Sequence, residues 1–232
     1  MIKTIFFDAD ETLYPEKHLK VRAELETAEF IADHLKLPLN SVWDVFYKEK
    51  WDTLTSGDKT PYSNSRENWY KKTLASLNGH SLTSFELADY YWDIINKHIE
   101  PYYDVILALP KLAEKYDLYI VTDEYIEIIK RKIKSLGFEK YFKDVISGEH
   151  VNLQKPDKAL FELALKTTQA DIETTLMIGD YPAKDIKGAK GTGLKTALLK
   201  RGHYYKPILE EEIPDIYISN FINLERDIEE LL

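Results

Sequence analysis

The sequence predicts an α/β fold: a doubly wound, Rossmann-like parallel sheet core with an all-helical cap domain. Three observations predict it. A short apolar run, Ile2–Phe7, stops abruptly in the acidic segment DADE. From about Lys20 to His98 apolar residues recur at helical spacing, with no convincing strand. From Pro101 onward short apolar runs alternate with amphipathic segments. The core thus reads as residues 1–14 and 101–232, and the cap as 15–100.

Ile2–Phe7 is short, β-branched and aromatic, as a buried strand should be. In the cap, Val21, Leu25, Ala28, Ile31, Ala32 and Leu35 mark a first helix. A second starts at an Asn40/Ser41 cap and carries Val42, Val45, Phe46 and Trp51. A third runs through Trp69 and Leu74. A fourth begins near Thr83–Ser84 and carries Leu87, Tyr91 and Ile94. Thr55–Asn64 is rich in turn-forming residues and reads as a loop. In the core, Val105–Lys115 reads as a helix and Leu118–Val121 as a strand. Glu124–Ser135 follows as a helix, with Asp123 as N-cap and Gly137 past its end. Val145–Ile146 is a short strand, and Pro156 suits the first turn of the next helix. Thr175–Ile178, Lys195–Leu199 and Ile216–Ile218 are strands; Ala183–Lys190 and Asn223–Leu232 are helices. Such alternation implies parallel strands joined by right-handed crossovers.

Composition narrows the function classes. The chain has 232 residues, a net charge of −9 and no cysteine. Without cysteine there is no disulfide framework, thiolate metal site or thiol nucleophile, and a reducing cytoplasm suits such a chain. No apolar run reaches the ~18 residues of a membrane span. The first residues, MIKTIFFDAD, resemble neither a signal nor a transit peptide. Net acidity argues against a nucleic-acid polymer as partner, because no basic stripe is there to neutralise phosphates. The expectation is a cytoplasmic monomer or weak dimer that handles a small molecule and touches no membrane. Lys/Glu enrichment with only two Gln also hints at a thermophilic source.

Ligands of open α/β sheets bind beyond the carboxyl ends of strands, so polar residues placed there matter most. Four such signals occur. Asp8 and Asp10 follow the first strand; they suit either a capped turn or a Mg²⁺ site, since Mg²⁺ takes oxygen ligands. Thr122 ends the strand LYIV, where a hydroxyl can bond a phosphate oxygen. Lys155 stands before Pro156, either as a solvated charge or as a phosphate-binding ammonium. Asp180 leaves the strand TLMI, and Asp185, five residues on, either caps the following helix or orients Lys155 or a metal-bound water.

In this order the four segments, IFFDADET, YIVT, KP and MIGDYPAKD, resemble the motifs of the haloacid dehalogenase superfamily in its phosphatase branch. The likeness spans nearly the whole chain, and the helical insert resembles that family's first cap type. It implies a phosphomonoesterase acting on a small phosphate ester such as a nucleotide, a sugar phosphate or phosphoglycolate. Asp8 would be the nucleophile and Asp10 the general acid and base. Asp8, the backbone carbonyl of Asp10, and Asp180 would hold Mg²⁺. Thr122 and Lys155 would grip the phosphoryl oxygens, and Asp185 would anchor Lys155 or a metal-bound water. Two departures stand out: Glu11 where relatives often have Gly or Asp, and Thr122-Asp123-Glu124 where they often have Thr/Ser-Asn-Gly. A phosphomutase would share every core residue. True 2-haloacid dehalogenases of the superfamily lack the second aspartate, so Asp10 disfavours that chemistry. A receiver-like domain phosphorylated without turnover would place its acceptor after a middle strand and lack the insert. The cap is expected to act as a lid that selects the substrate, with Lys20, Arg22, Arg66, Lys72 and His98 as candidate contacts.

Overall fold

A computed structural model describes residues 1–57, 65–201 and 205–231. They form two compact units, residues 1–15 with 99–231 and residues 16–98.

The first unit is built on six parallel strands. These are β1 (Thr4–Phe7), β2 (Asp117–Thr122), β3 (Asp144–Ser147), β4 (Thr175–Gly179), β5 (Lys195–Leu199) and β6 (Ile216–Ile218). Their order is β3-β2-β1-β4-β5-β6, so the winding reverses between β1 and β4. Five helices belong to the same unit, numbered after the four of the helical unit. They are α5 (Tyr103–Lys115), α6 (Ile126–Ser135), α7 (Lys158–Thr168), α8 (Lys187–Thr192) and α9 (Leu224–Glu229). Neighbouring side chains of β1 take opposite faces of the sheet. Phe6 packs with Val121, Met177, Phe161 of α7 and Ala189 of α8. Phe7 meets Phe142 and Phe221 edge-on. Both faces are covered, which is why β1 reads as a continuous apolar run.

Some element boundaries differ from the sequence reading. α6 begins at Ile126 with Tyr125 as N-cap, so Asp123 does not cap it. α7 begins at Lys158 behind an Asp157 cap, which leaves Pro156 outside the helix after a cis Lys155–Pro156 bond. The segment read as Ala183–Lys190 divides into a π-helical turn, Pro182–Ile186, and α8. α9 is shorter than expected.

The second unit consists of α1 (Lys17–Leu35), α2 (Leu39–Thr55), α3 (Arg66–Leu77) and α4 (Ser84–His98). α3 is capped by the Ser65 hydroxyl, which accepts from Asn68 N at 3.1 Å. α4 has a reciprocal capping box between Thr83 and Glu86. α2 starts two to three residues earlier than the Asn40/Ser41 cap suggested, with Pro38 in the extended conformation before it. In α1 the buried stripe is Leu19, Ala23, Thr27, Ala28 and Ile31, and the expected Val21 and Leu25 face solvent, as does Trp51 of α2. Residues 58–64 of the expected loop lie outside the described residues.

Four of the candidate cap contacts are engaged within their own unit. Lys20 pairs with Glu16, Arg22 with Glu26, and Lys72 donates to Thr53 Oγ1 at 2.8 Å. The Arg66 guanidinium lies over the rings of Trp69, Tyr91 and Trp92. His98 ends α4 half-buried. No helix among the described residues is long and apolar enough to cross a membrane.

Candidate active site

The winding of the sheet brings the predicted residues together. Phe7 of β1 pairs with Ile120 of β2 on one side and Ile178 of β4 on the other. Asp8, Thr122 and Asp180 therefore leave three adjacent strands at the same end, where the sheet's winding reverses.

Lys155 is the hub. Its buried ammonium donates to Asp8 Oδ1 at 2.5 Å, to Asp185 Oδ1 at 2.7 Å and to the Val121 carbonyl at 3.2 Å. The other Asp8 oxygen, Oδ2, accepts from the Thr12 hydroxyl at 3.1 Å. Asp185 sits in the π-helical turn, and its Oδ2 accepts from Tyr181 N at 3.0 Å. Asp185 serves both readings left open for it: one oxygen lies against Lys155, and the other takes the Tyr181 N–H at the start of the turn. It can lie there because position 179 is Gly: a Cβ would stand 2.3 Å from Asp185 Oδ2.

Thr122 is buried at the end of β2, where its Oγ1 accepts from Glu124 N at 3.1 Å. Asp123 uses its two oxygens elsewhere, on Lys155 N at 2.7 Å and Lys184 Nζ at 2.8 Å. The extra acid beside Thr122 is thus matched by Lys184. Glu149, from the loop after β3, accepts from Ile126 N at 2.8 Å and supplies the missing cap for α6.

The Asp8–Tyr14 loop is tight. Glu11 N donates to the Tyr14 carbonyl and Leu13 N to the Ala9 carbonyl, each at 2.8 Å. Glu11 takes a φ of 63°, the left-handed region that Gly adopts without cost. This accounts for Gly at that position in the family pattern. The loop turns Asp10 toward α6. Asp10 Oδ1 accepts from the Tyr14 hydroxyl at 2.8 Å and from Lys132 Nζ at 3.0 Å. Sequence reasoning missed Lys132 because it lies in the run Lys130-Arg131-Lys132, which reads as a solvated face. The available signal was its place next to Ile133 and three residues after Ile129, both on the buried stripe.

Burial pushes the Asp8 carboxyl up to about 7; the Lys155 charge pulls it down, and Asp185 and Asp10 push it further up. Lys155 is held well above its ordinary value: burial acts to lower it, and the charges of Asp185, Asp8 and Asp123 more than offset that. Oxygens of Asp8, Asp180 and Asp185 lie within 4.8 Å of one another. Three crowded carboxylates, all oxygen donors and mostly buried, fit a hard divalent cation such as Mg²⁺. Asp185, not Asp10, completes this carboxylate group; the Asp10 carboxylate is committed to Tyr14 and Lys132, and the atom expected to serve a metal there is its backbone carbonyl.

Residues 5–199 match the family model described as haloacid dehalogenase-like hydrolase. A glyceraldehyde 3-phosphate phosphatase of Methanopyrus kandleri is 27% identical over 225 residues, 94% of each chain. A ribulose-1,5-bisphosphate 5-phosphatase of Halopiger xanaduensis is 27% identical, covering 85% of this chain and 84% of its own length. Among solved structures, a 2-haloacid dehalogenase of Pseudomonas syringae superposes with a TM-score of 0.75 over the full length of both chains, at 22% identity. With the family model covering most of the chain and a matching fold beneath it, this protein belongs to the haloacid dehalogenase-like hydrolases.

Proposed function

We propose that the chain is a Mg²⁺-dependent phosphomonoesterase of the cytoplasm that hydrolyses a small phosphate ester through an aspartyl-phosphate on Asp8. The observation that carries this reading is the separation of two neighbouring carboxylates. Asp8 is held by Lys155 and Asp10 by Lys132, so residues only two apart have distinct surroundings suited to distinct roles.

In this reading an Asp8 carboxylate oxygen attacks phosphorus, and the bond from phosphorus to the ester oxygen breaks. Asp10 gives that oxygen its proton. A water molecule then attacks the phosphorus of the acyl phosphate, Asp10 takes the water's proton, and inorganic phosphate leaves with Asp8 restored. Lys155 and the Thr122 hydroxyl bind the phosphoryl oxygens. Asp8, the Asp10 carbonyl, Asp180 and Asp185 would hold or neighbour the metal. When bound, Mg²⁺ would supply positive charge that offsets the repulsion between carboxylate and phosphate. Transfer of this kind rests on positioning and charge neutralisation.

The names of the two relatives, a triose phosphate and a pentose bisphosphate phosphatase, support a sugar phosphate as the substrate class. Phosphate release from p-nitrophenyl phosphate with Mg²⁺, followed by a panel of sugar phosphates, nucleotides and phosphoglycolate, tests the reading. Steady turnover with preference for a sugar phosphate is expected. A single equivalent of phosphate retained on the protein without turnover would overturn it.

A further inference from the structure

Lys132 has a fully buried side chain, an uncommon state for lysine unless it is paired. Its ammonium lies 3.0 Å from Asp10 Oδ1, and the buried Tyr14 hydroxyl donates to that same oxygen at 2.8 Å. The Lys132 ammonium also stands 5.6 Å from the centre of the Tyr14 ring, so the three side chains form one cluster. The backbone reinforces it, because Asp10 and Tyr14 form a β-bridge around the left-handed Glu11. Asp10 itself reaches the surface, with 28% of its side chain exposed.

We propose that Lys132 and Tyr14 are positioning residues for Asp10, setting the orientation in which its carboxylate exchanges a proton with the ester oxygen. The inference rests on the reading of Asp10 as general acid given above. Two donors converging on Oδ1 fix the plane of the carboxylate. Without those donors the carboxylate can rotate about its Cβ–Cγ bond and present either oxygen. A structural ion pair would need only the Lys132–Asp10 contact. The second donor on the same oxygen is what orientation requires.

The basicity of the leaving group provides the test. A p-nitrophenolate departs without a proton, whereas a sugar or glycerol alkoxide needs one. Lys132→Met, Tyr14→Phe and Asp10→Asn are compared with the parent chain on p-nitrophenyl phosphate and on glycerol 1-phosphate, with kcat/KM as readout. This quantity reports the steps through phosphoryl transfer to Asp8. Asp10→Asn should lose about 100-fold or more on the alkyl ester and much less on the aryl ester, in line with a general acid. Lys132→Met should lose about 10-fold or more on the alkyl ester and under about 3-fold on the aryl ester. Tyr14→Phe, which deletes one oxygen and serves if Lys132→Met does not fold, should show the same selectivity at smaller size. The proposal is overturned if Asp10→Asn is leaving-group selective while the other two variants lower both substrates equally or neither. If Asp10→Asn scales both substrates alike, the general-acid reading fails and this inference falls with it.

Discussion

Gly179→Ala tests how tightly the site is packed. The added Cβ would stand 2.3 Å from Asp185 Oδ2, 2.4 Å from Cγ and 2.6 Å from Cβ, against ordinary contact at 3.4 Å or more. Asp185 must retreat by about 1 Å, which stretches its 2.7 Å bond from Lys155 to about 3.7 Å and breaks it. The 3.0 Å bond from Tyr181 N fails with it. Two hydrogen bonds to a carboxylate in a buried place are together worth about 3–6 kcal/mol. For a chain of this size that is a fall in Tm of about 6–24 °C. Lys155 loses one of its two carboxylates, and kcat/KM should fall by about 10-fold or more, since ~1.4 kcal/mol is tenfold. Gly191→Ala serves as control. It stands in α8 with its nearest neighbour, Lys158 Cβ, at 4.0 Å, and should be neutral or stabilising by up to ~1 kcal/mol. Thermal melts followed by circular dichroism, with rates measured alongside, read both effects. If Gly179→Ala melts with the parent and keeps its rate, Asp185 is not pinned by its surroundings and the argument is wrong.

Asp8→Asn should abolish turnover while the chain stays folded, because an amide cannot attack phosphorus. The same variant reports on the raised Asp8 carboxyl. The folded chain keeps a proton there up to about pH 7, while the unfolded chain releases it near 3.8. This group's contribution to stability therefore falls as pH rises from about 4 to 7 and is level above. In metal-free buffer the stability of Asp8→Asn relative to the parent should rise across that window by a few kcal/mol in urea titrations; a pH-independent difference would refute it. EDTA should remove activity, Mg²⁺ restore it and Ca²⁺ inhibit, as read by phosphate release; full activity in metal-free buffer would count against the mechanism. Asp104 accepts both guanidinium nitrogens of Arg201, at 2.9 and 3.0 Å, and Phe221 N at 2.8 Å. Asp104→Ala should cost about 3 kcal/mol in urea unfolding by leaving the half-buried Arg201 guanidinium without its carboxylate.

The parts of the site legible in the sequence are those a strand end announces. Asp8, Thr122 and Asp180 each follow an apolar run that stops, and local sequence carries that signal. What was not legible depends on partners distant in the chain. Asp123 looks like a helix cap because Asp before a helix usually is one; its actual partners, Lys155 and Lys184, lie 32 and 61 residues away. Lys132 contacts a carboxylate 122 residues earlier. The α1 stripe was legible in its second half, where Ala28, Ile31 and Ala32 are buried as expected, and misplaced in its first, where Leu19, Ala23 and Thr27 are buried and the larger Val21 and Leu25 sit outside. Nothing in Pro182–Ile186 distinguishes a π-helical turn from an α-helical one.

The position of β1 in the sheet also has a bearing on how the chain is made. Its partners are Asp117 and Thr175 for Thr4, so the central strand pairs with segments 113 and 171 residues downstream. At about 5–20 residues per second, β1 leaves the ribosome roughly 10–30 s before β4 exists. Until β2 is complete at Thr122 the Phe6–Phe7 pair has no neighbouring strand at all, and until β4 is made one edge of β1 stays open. The helical unit, complete within residues 16–98, can fold from local contacts while β1 waits. Nascent chains stalled between residue 100 and residue 116 should therefore hold an ordered helical bundle joined to an unsheeted, apolar leading strand, the state most in need of chaperone cover.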